Sequence, residues 1–263
     1  MYPQLAIEAA AQSDVGRRRS RNEDSFAALP YLGLFMVADG LGGHAAGEVA
    51  SRMAIEVVKS CFEEDDDLEE TWPRGMAAPD AASARERDEV RLVMSVRRAN
   101  RVIYEASQRQ EAMRGMATTF AGVLLAPGMA YIAHVGDTRV YRMRGGKLER
   151  LTQDHTLLEE LLQDGDGVLE AAVALSERAD AVTRALGCDQ RVEIASRVEA
   201  TAPGDVFLVC SDGLWGPVPE ERIAGVLRGH GELSLAASVL VDLANEHGGP
   251  DNVTCVLARL GGG

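Results

Sequence analysis

The sequence has no two cysteines close enough to form a CxxC motif; Cys61, Cys188, Cys210 and Cys255 are widely spaced. That argues against a zinc site or a dithiol redox centre, and Cys210 and Cys255, set in apolar runs, read as buried thiols. No basic segment leads into an apolar stretch near the start, so no signal peptide is expected. No apolar run is long enough to cross a bilayer. An excess of positive charge is also missing: the formal net charge is −14. A general electrostatic grip on nucleic acid or on anionic lipid is therefore disfavoured, and the chain reads as cytoplasmic with neither partner. The glycine motifs GxGxxG and GxxxxGK[ST] of nucleotide-binding loops are absent. With no internal repeat and no Pro/Gly/Ser linker, 263 residues at 46% hydrophobic content read as one domain, 1–263.

What is present alternates between strand and helix patterns. Residues 33–38 form a short apolar run ending at Asp39-Gly40, which predicts a buried strand feeding a loop. Helical spacing of Val49, Met53, Ile55 and Val58 marks 45–60, and helical character resumes over 89–110. Between them, 62–90 reads as an acidic, solvated insertion. From 118 to 151, short runs are separated by Pro127-Gly128, Gly136-Asp137 and Gly145-Gly146, which predicts a meander of antiparallel hairpins. Helices are expected near 156–163, 168–178, 219–228 and 233–246, and strands at 192–198, 205–210 and 252–260. Hairpins flanked by early and late helices predict an α+β fold. Nearly all-apolar strands such as FLVC and LFMVA suit two packed sheets with helices outside.

Asp39, Asp137, Asp212 and Asp251 share a context, each at the end of an apolar strand or in the turn beside it. Taken singly, an aspartate beside glycine makes a turn. Taken together, carboxylates gathered on one sheet edge would need a cation. With no thiolate or histidine pair offered, magnesium or manganese suits the donors better than zinc.

An ordered series of motifs then carries a resemblance. SDVGRRRSRNEDSF at 13–26, VADGLGGHAAGEVAS at 37–51, ATTF at 117–120 and HVGDTRVYRMRGGKLERLTQDH at 134–155 are followed by TRALG at 183–187, PGDVFLVCSDGLW at 203–215 and GGPDNVT at 248–254. In this order they closely resemble the protein phosphatase 2C family, especially its bacterial members, from about residue 5 to 260. The resemblance implies a central sandwich of two antiparallel β-sheets flanked by α-helices on both faces. It implies a protein serine/threonine phosphatase in which a hydroxide activated between two Mg or Mn ions attacks phosphorus, with no covalent intermediate. Asp39 would bridge the ions with help from the Gly40 carbonyl; Asp212 and Asp251 would bind the first ion. Asp137, Asp212 and Asp180 match the ligands of a third, weaker ion. Glu23 and Asp24 would hold coordinated waters. Arg19 would fork onto the substrate phosphate, while Arg17, Arg18 and Arg21 read as a solvated loop. His44 matches the general acid for the leaving oxygen; the plain alternative is an exposed loop histidine. Residues 152–182 resemble a flap, and the implied partners are phosphorylated proteins, with a Ser/Thr kinase of the same cell among them. A monomer is expected.

Other chemistries compete poorly. The residues six positions after the cysteines are Asp67, Ile194, Gly216 and Gly261, so a Cys-based phosphate loop is excluded. Asp164-Gly-Asp166-Gly-Val168 has the letters of an aspartyl-phosphate motif but follows a helical pattern, and it lacks the closing glutamate of a calcium loop. Two alternatives stay open: a phosphatase-like binding module without turnover, and a metal-dependent phosphatase of small phosphorylated metabolites.

Overall fold

The computed structural model describes residues 6–41, 46–63, 84–164 and 181–261. In chain order the strands are β1 (Ile7–Asp14), β2 (Asp24–Leu29), β3 (Leu34–Leu41), β4 (Ala117–Thr118), β5 (Phe120–Ala126), β6 (Met129–Val135), β7 (Arg139–Arg144), β8 (Lys147–Arg150), β9 (Ala195–Ala200), β10 (Val206–Cys210) and β11 (Val253–Leu260). The helices are α1 (Ala46–Glu63), α2 (Ala84–Arg109), α3 (Leu157–Asp164), α4 (Asp212–Trp215), α5 (Glu220–Gly229) and α6 (Leu233–Glu246). One sheet runs β1-β11-β10-β7-β8 and the other β2-β3-β5-β6-β9, with β4 on the end of β3. All their pairings are antiparallel.

The all-apolar strands are apolar because both of their faces are covered. In β3, Leu34, Met36 and Ala38 pack under α1 and α2, while Phe35 and Val37 point into the space between the sheets. In β10, Val206, Leu208 and Cys210 face α5 and α6, while Phe207 and Val209 meet Phe35 and Val37 in the middle. The side-chain period of two thus serves two cores from one strand. Ala50, Ala54 and Val58 form the buried stripe of α1, and two alanines there let the helix lie close on β3. The result is the expected α-β-β-α sandwich. No helix among the described residues is long and apolar enough to cross a membrane.

Several boundaries and one connection differ from the sequence expectation. β6 and β7 do not form a hairpin: β6 lies in one sheet and β7 in the other, so Gly136-Asp137 is a crossing between sheets. Gly136 makes it with φ +95°, and a Cβ there would meet Thr119 at 2.7 Å. β1 and β2, for which no pattern was expected, are alanine-rich edge strands, and alanine signals strands weakly. α2 begins at Ala84, so the acidic insertion at 62–90 is helical at both described ends; 64–83 lie outside the described residues, as does the helix expected at 168–178. β9 falls three residues later than expected at its start, where Ala195 pairs with His134. The four-residue α4 was hidden behind an Asp-Gly that reads as a turn.

Candidate active site

Asp39, Asp137, Asp212 and Asp251 stand at the same rim of the sandwich, each delivered by a different strand. Asp39 ends the apolar part of β3 and pairs in register with Asp24 on β2. Its own N–H donates to Thr119 Oγ1 (3.1 Å), and its carbonyl accepts from Thr119 N–H (2.8 Å) and Thr118 Oγ1 (2.8 Å). Gly40 N–H donates to the Glu23 carbonyl (3.2 Å). This close packing excludes any side chain at Gly40, where a Cβ would lie 2.4 Å from the Gly47 carbonyl oxygen. Asp212 opens α4 directly after β10, and Asp251 sits in the Gly-Gly-Pro-Asp turn before β11. Asp137 follows the crossing from β6.

The carboxyls act on one another. Burial, then the charges of Asp24, Asp212, Asp137 and Asp251, push Asp39 well above the usual carboxylate range. Burial raises Asp24 to about 7, against hydrogen bonds from Thr254 and Ser211, with Asp212 and Asp251 adding to the rise. Asp137 is also raised to about 7, by burial and then by Asp212 and Asp154. Asp212 is raised by burial and by Asp251, offset by hydrogen bonding with Asp39. Glu23 is raised by burial, with Arg19 opposing.

Do these donors fit a divalent cation? Asp24 Oδ1 and Asp212 Oδ1 are buried without a hydrogen-bond partner among the described residues. Buried carboxylate oxygens without donors, inside a cluster of like charge, are the atoms a hard cation would satisfy. Among the described residues, no three His, Cys, Asp or Glu side chains close into a ready-made cage. The two findings agree, because charge coupling reaches further than a ligand bond. They fit an ion that keeps several of its own waters, as magnesium does, and not a cage made wholly of protein.

Arg19 lies over this cluster, its Nη2 2.6 Å from Asp251 Oδ2, with about half of its side chain exposed. His44 and Asp180 lie outside the described residues.

A family model described as protein phosphatase 2C matches residues 15–230. The chain belongs to the protein phosphatase 2C family. It is 34% identical over 256 residues to the serine/threonine phosphatase Stp of Listeria monocytogenes, covering 96% of each chain. It is 36% identical over 260 residues to the serine/threonine protein phosphatase PstP of Mycobacterium tuberculosis, covering 97% of this chain and 45% of that one. A crystal structure of that Mycobacterium tuberculosis phosphatase superposes with a TM-score of 0.81 at 34% identity, over 97% of this chain and 99% of the other. A crystal structure of the PstP catalytic domain in complex with two manganese ions superposes with a TM-score of 0.77 at 34% identity, over 98% and 100%.

Sequence reasoning passed over the residues that hold this protein phosphatase 2C site in place. Asn252 Oδ1 accepts from Glu23 N–H (2.8 Å), while its Nδ2 donates to the carbonyls of Val15 (2.9 Å) and Arg21 (2.8 Å). One buried amide thus ties the arginine loop to the Asp251 turn. Trp215 Nε1 donates to the Asp137 carbonyl (3.1 Å), and the Arg139 guanidinium lies 3.4 Å from the Trp215 ring centroid. Arg139 is held in turn by Asp154 through Nε (3.0 Å) and Nη2 (2.6 Å). Behind the crossing, His134 and His155 stack with centroids 4.7 Å apart. Gly136 N–H donates to His155 Nδ1 (3.1 Å), and burial lowers His155 to about 3, so the neutral ring buttresses the turn. The motif series contained all of these residues, but each is a polar letter whose partner is distant in sequence.

Proposed function

We propose that this chain is a metal-dependent protein serine/threonine phosphatase that hydrolyses phosphoserine and phosphothreonine without a covalent intermediate. The carrying observation is the rim cluster itself: Asp39 under pressure from four carboxylates, with donor-starved oxygens on Asp24 and Asp212. Family membership supports the same reading. When bound, two manganese or magnesium ions would supply the activated water and offset the phosphoryl charge. Asp39, the Gly40 carbonyl, Asp212 and Asp251 are the groups assigned to hold them, with Asp137 and Asp180 assigned to a third ion. Asp24 and Glu23 would hold waters of the bound ions, and Ser211, whose Oγ donates to Asp24 Oδ2 (2.8 Å), fixes the Asp24 carboxyl. Arg19 is free to exchange Asp251 for two oxygens of the substrate phosphate, since its side chain already stands at the exposed rim. His44 is assigned to protonate the departing serine or threonine oxygen. The proposed setting is the bacterial cytoplasm, in signal transduction opposite a Ser/Thr protein kinase, with the phosphatase acting as a monomer in one domain that carries a flap at 152–182.

The test is phosphate release from a phosphothreonine peptide by purified protein with millimolar manganese, and with EDTA as control. Manganese-dependent release is the expected result. Release from sugar phosphates but not from peptides would replace this reading with a metabolite phosphatase, and folded protein inert to both would replace it with a binding module.

A further inference from the structure

Most described arginines of this strongly acidic chain are spoken for. Arg139, Arg142, Arg144, Arg150, Arg184, Arg197 and Arg259 each meet a carboxylate. Arg17, Arg18 and Arg21 have no ion pair or hydrogen bond through their side chains among the described residues, and all three are exposed. Arg87, Arg101, Arg191 and Arg222 also lack one but stand apart from one another in the chain, and Arg21 reaches Glu23 only through its longer-range charge. They flank Arg19, which rests on Asp251 at the rim of the carboxylate cluster. Sequence alone gave these three arginines as a solvated loop. The structure adds that the loop's main chain is fixed. Arg17 N–H donates to the Gly249 carbonyl (2.8 Å), Gly16 N–H donates to Asp14 Oδ1 (2.9 Å), and Asn252 holds the carbonyls of Val15 and Arg21. Gly16 is so tightly seated that a Cβ would meet the Asp251 carbonyl oxygen at 2.2 Å. The stem of Arg17 lies against Gly249, whose own Cβ would meet Arg17 Cγ at 2.7 Å.

A net charge of −14 makes three unpaired guanidiniums beside the phosphate-binding arginine costly to explain as general solubilisation. Like charges grouped within a few residues repel one another and are relieved by an anion. Guanidinium groups match carboxylate and phosphate oxygens in pairs, and a preset backbone reduces the ordering cost of meeting them. We propose that Arg17, Arg18 and Arg21 form a recognition patch for the flanks of the phosphoresidue. The preferred substrates are then phosphopeptides with acidic residues, or a second phosphate, within a few positions of the phosphate removed. This inference rests on the phosphatase reading and names a substrate class for it.

The test compares kcat/KM for two phosphothreonine peptides of equal length with millimolar manganese, one flanked by glutamates and the other by alanine and glutamine. The wild-type protein is expected to favour the acidic peptide by roughly tenfold, the scale of several exposed ion pairs acting at once. That ratio is expected to shrink as salt rises. In the triple variant Arg17→Gln, Arg18→Gln, Arg21→Gln the ratio is expected to fall to about one. Because the neutral peptide normalises each measurement, a general loss of activity cannot imitate this result. Turnover of both peptides at equal rates by wild type, or a ratio unchanged in the variant, would overturn the patch and leave the phosphatase reading standing. Turnover of neither would overturn both.

Discussion

Asp39 carries demands that no other side chain in the site carries at once. Its main chain is pinned by Thr118 and Thr119, so its carboxyl cannot retreat from Asp24, Asp212, Asp137 and Asp251. Asp39→Asn keeps the shape and removes the charge. Turnover is expected to fall by about 10²-fold or more, the usual scale for losing one preorganised charge-stabilising group. The metal-free variant is expected to melt no lower than wild type, because a repulsive charge has gone. Near-normal kcat in the folded variant would remove Asp39 from the proposed role. Arg19 tests a different quantity. It sits half exposed and outside the buried cluster, so Arg19→Ala is expected to raise KM for a phosphopeptide more than it lowers kcat. A fall in kcat at constant KM would contradict a ground-state grip on phosphate.

At the scale of elements, β7 and the segment leading to α3 are joined by a buried ion pair as well as by hydrogen bonds at Val140. The Arg139 side chain is 12% exposed and that of Asp154 4%, and Arg139 also stacks on Trp215, which holds the Asp137 carbonyl. Asp154→Ala would leave a buried guanidinium without its bidentate partner, so a loss of about 3–5 kcal/mol is expected in urea melts. A loss below about 1 kcal/mol would show that water reaches Arg139 freely. Elements also show what a sequence discloses. β3, β5 and β10 were legible because burial on both faces demands unbroken apolar letters, and the aspartates were legible because each ends such a run or stands in the turn beside one. β1 and β2 were not, since an alanine-rich edge strand looks like any half-polar stretch. The gathering of the aspartates was not legible either. That depends on β11 lying between β1 and β10 and on the chain changing sheets at Gly136, and neither non-local pairing leaves a spacing to read. Only the ordered motif series, through resemblance, pointed to one site. Asn252, Arg139 and Asp154 escaped because their bonds span from 15 to more than 200 residues.

For the whole molecule, the rim cluster sets opposing pH dependences. Asp24 and Asp137 are raised from 3.8 to about 7, so the folded state favours their neutral forms. Their contribution to stability is full below about pH 4 and is lost as pH rises through 7. His155, lowered from 6.5 to about 3, works the other way: its contribution is present above 6.5 and is lost as pH falls toward 3. A divalent ion competes with the carboxyl protons. The rise in Tm on adding millimolar manganese is therefore expected to be larger at pH 8 than at pH 5, as calorimetry at both values would register. A rise independent of pH would mean that the ion binds elsewhere. The two-sheet layout carries one more implication. Asp24 and Asp39 ride on one sheet, whereas Asp212 and Asp251 adjoin strands of the other. Beneath them the layers meet through an apolar seam of Phe35, Val37, Phe207 and Val209, with Arg142 of β7 pairing Glu199 of β9 at one edge. An ion held by Asp39 from one side and by Asp212 and Asp251 from the other would rivet the layers at their lip. Sliding one layer over the other would then prise that rivet open, so substitutions at Phe35 or Phe207, far down the seam, are positioned to loosen the grip on manganese without touching a single ligand.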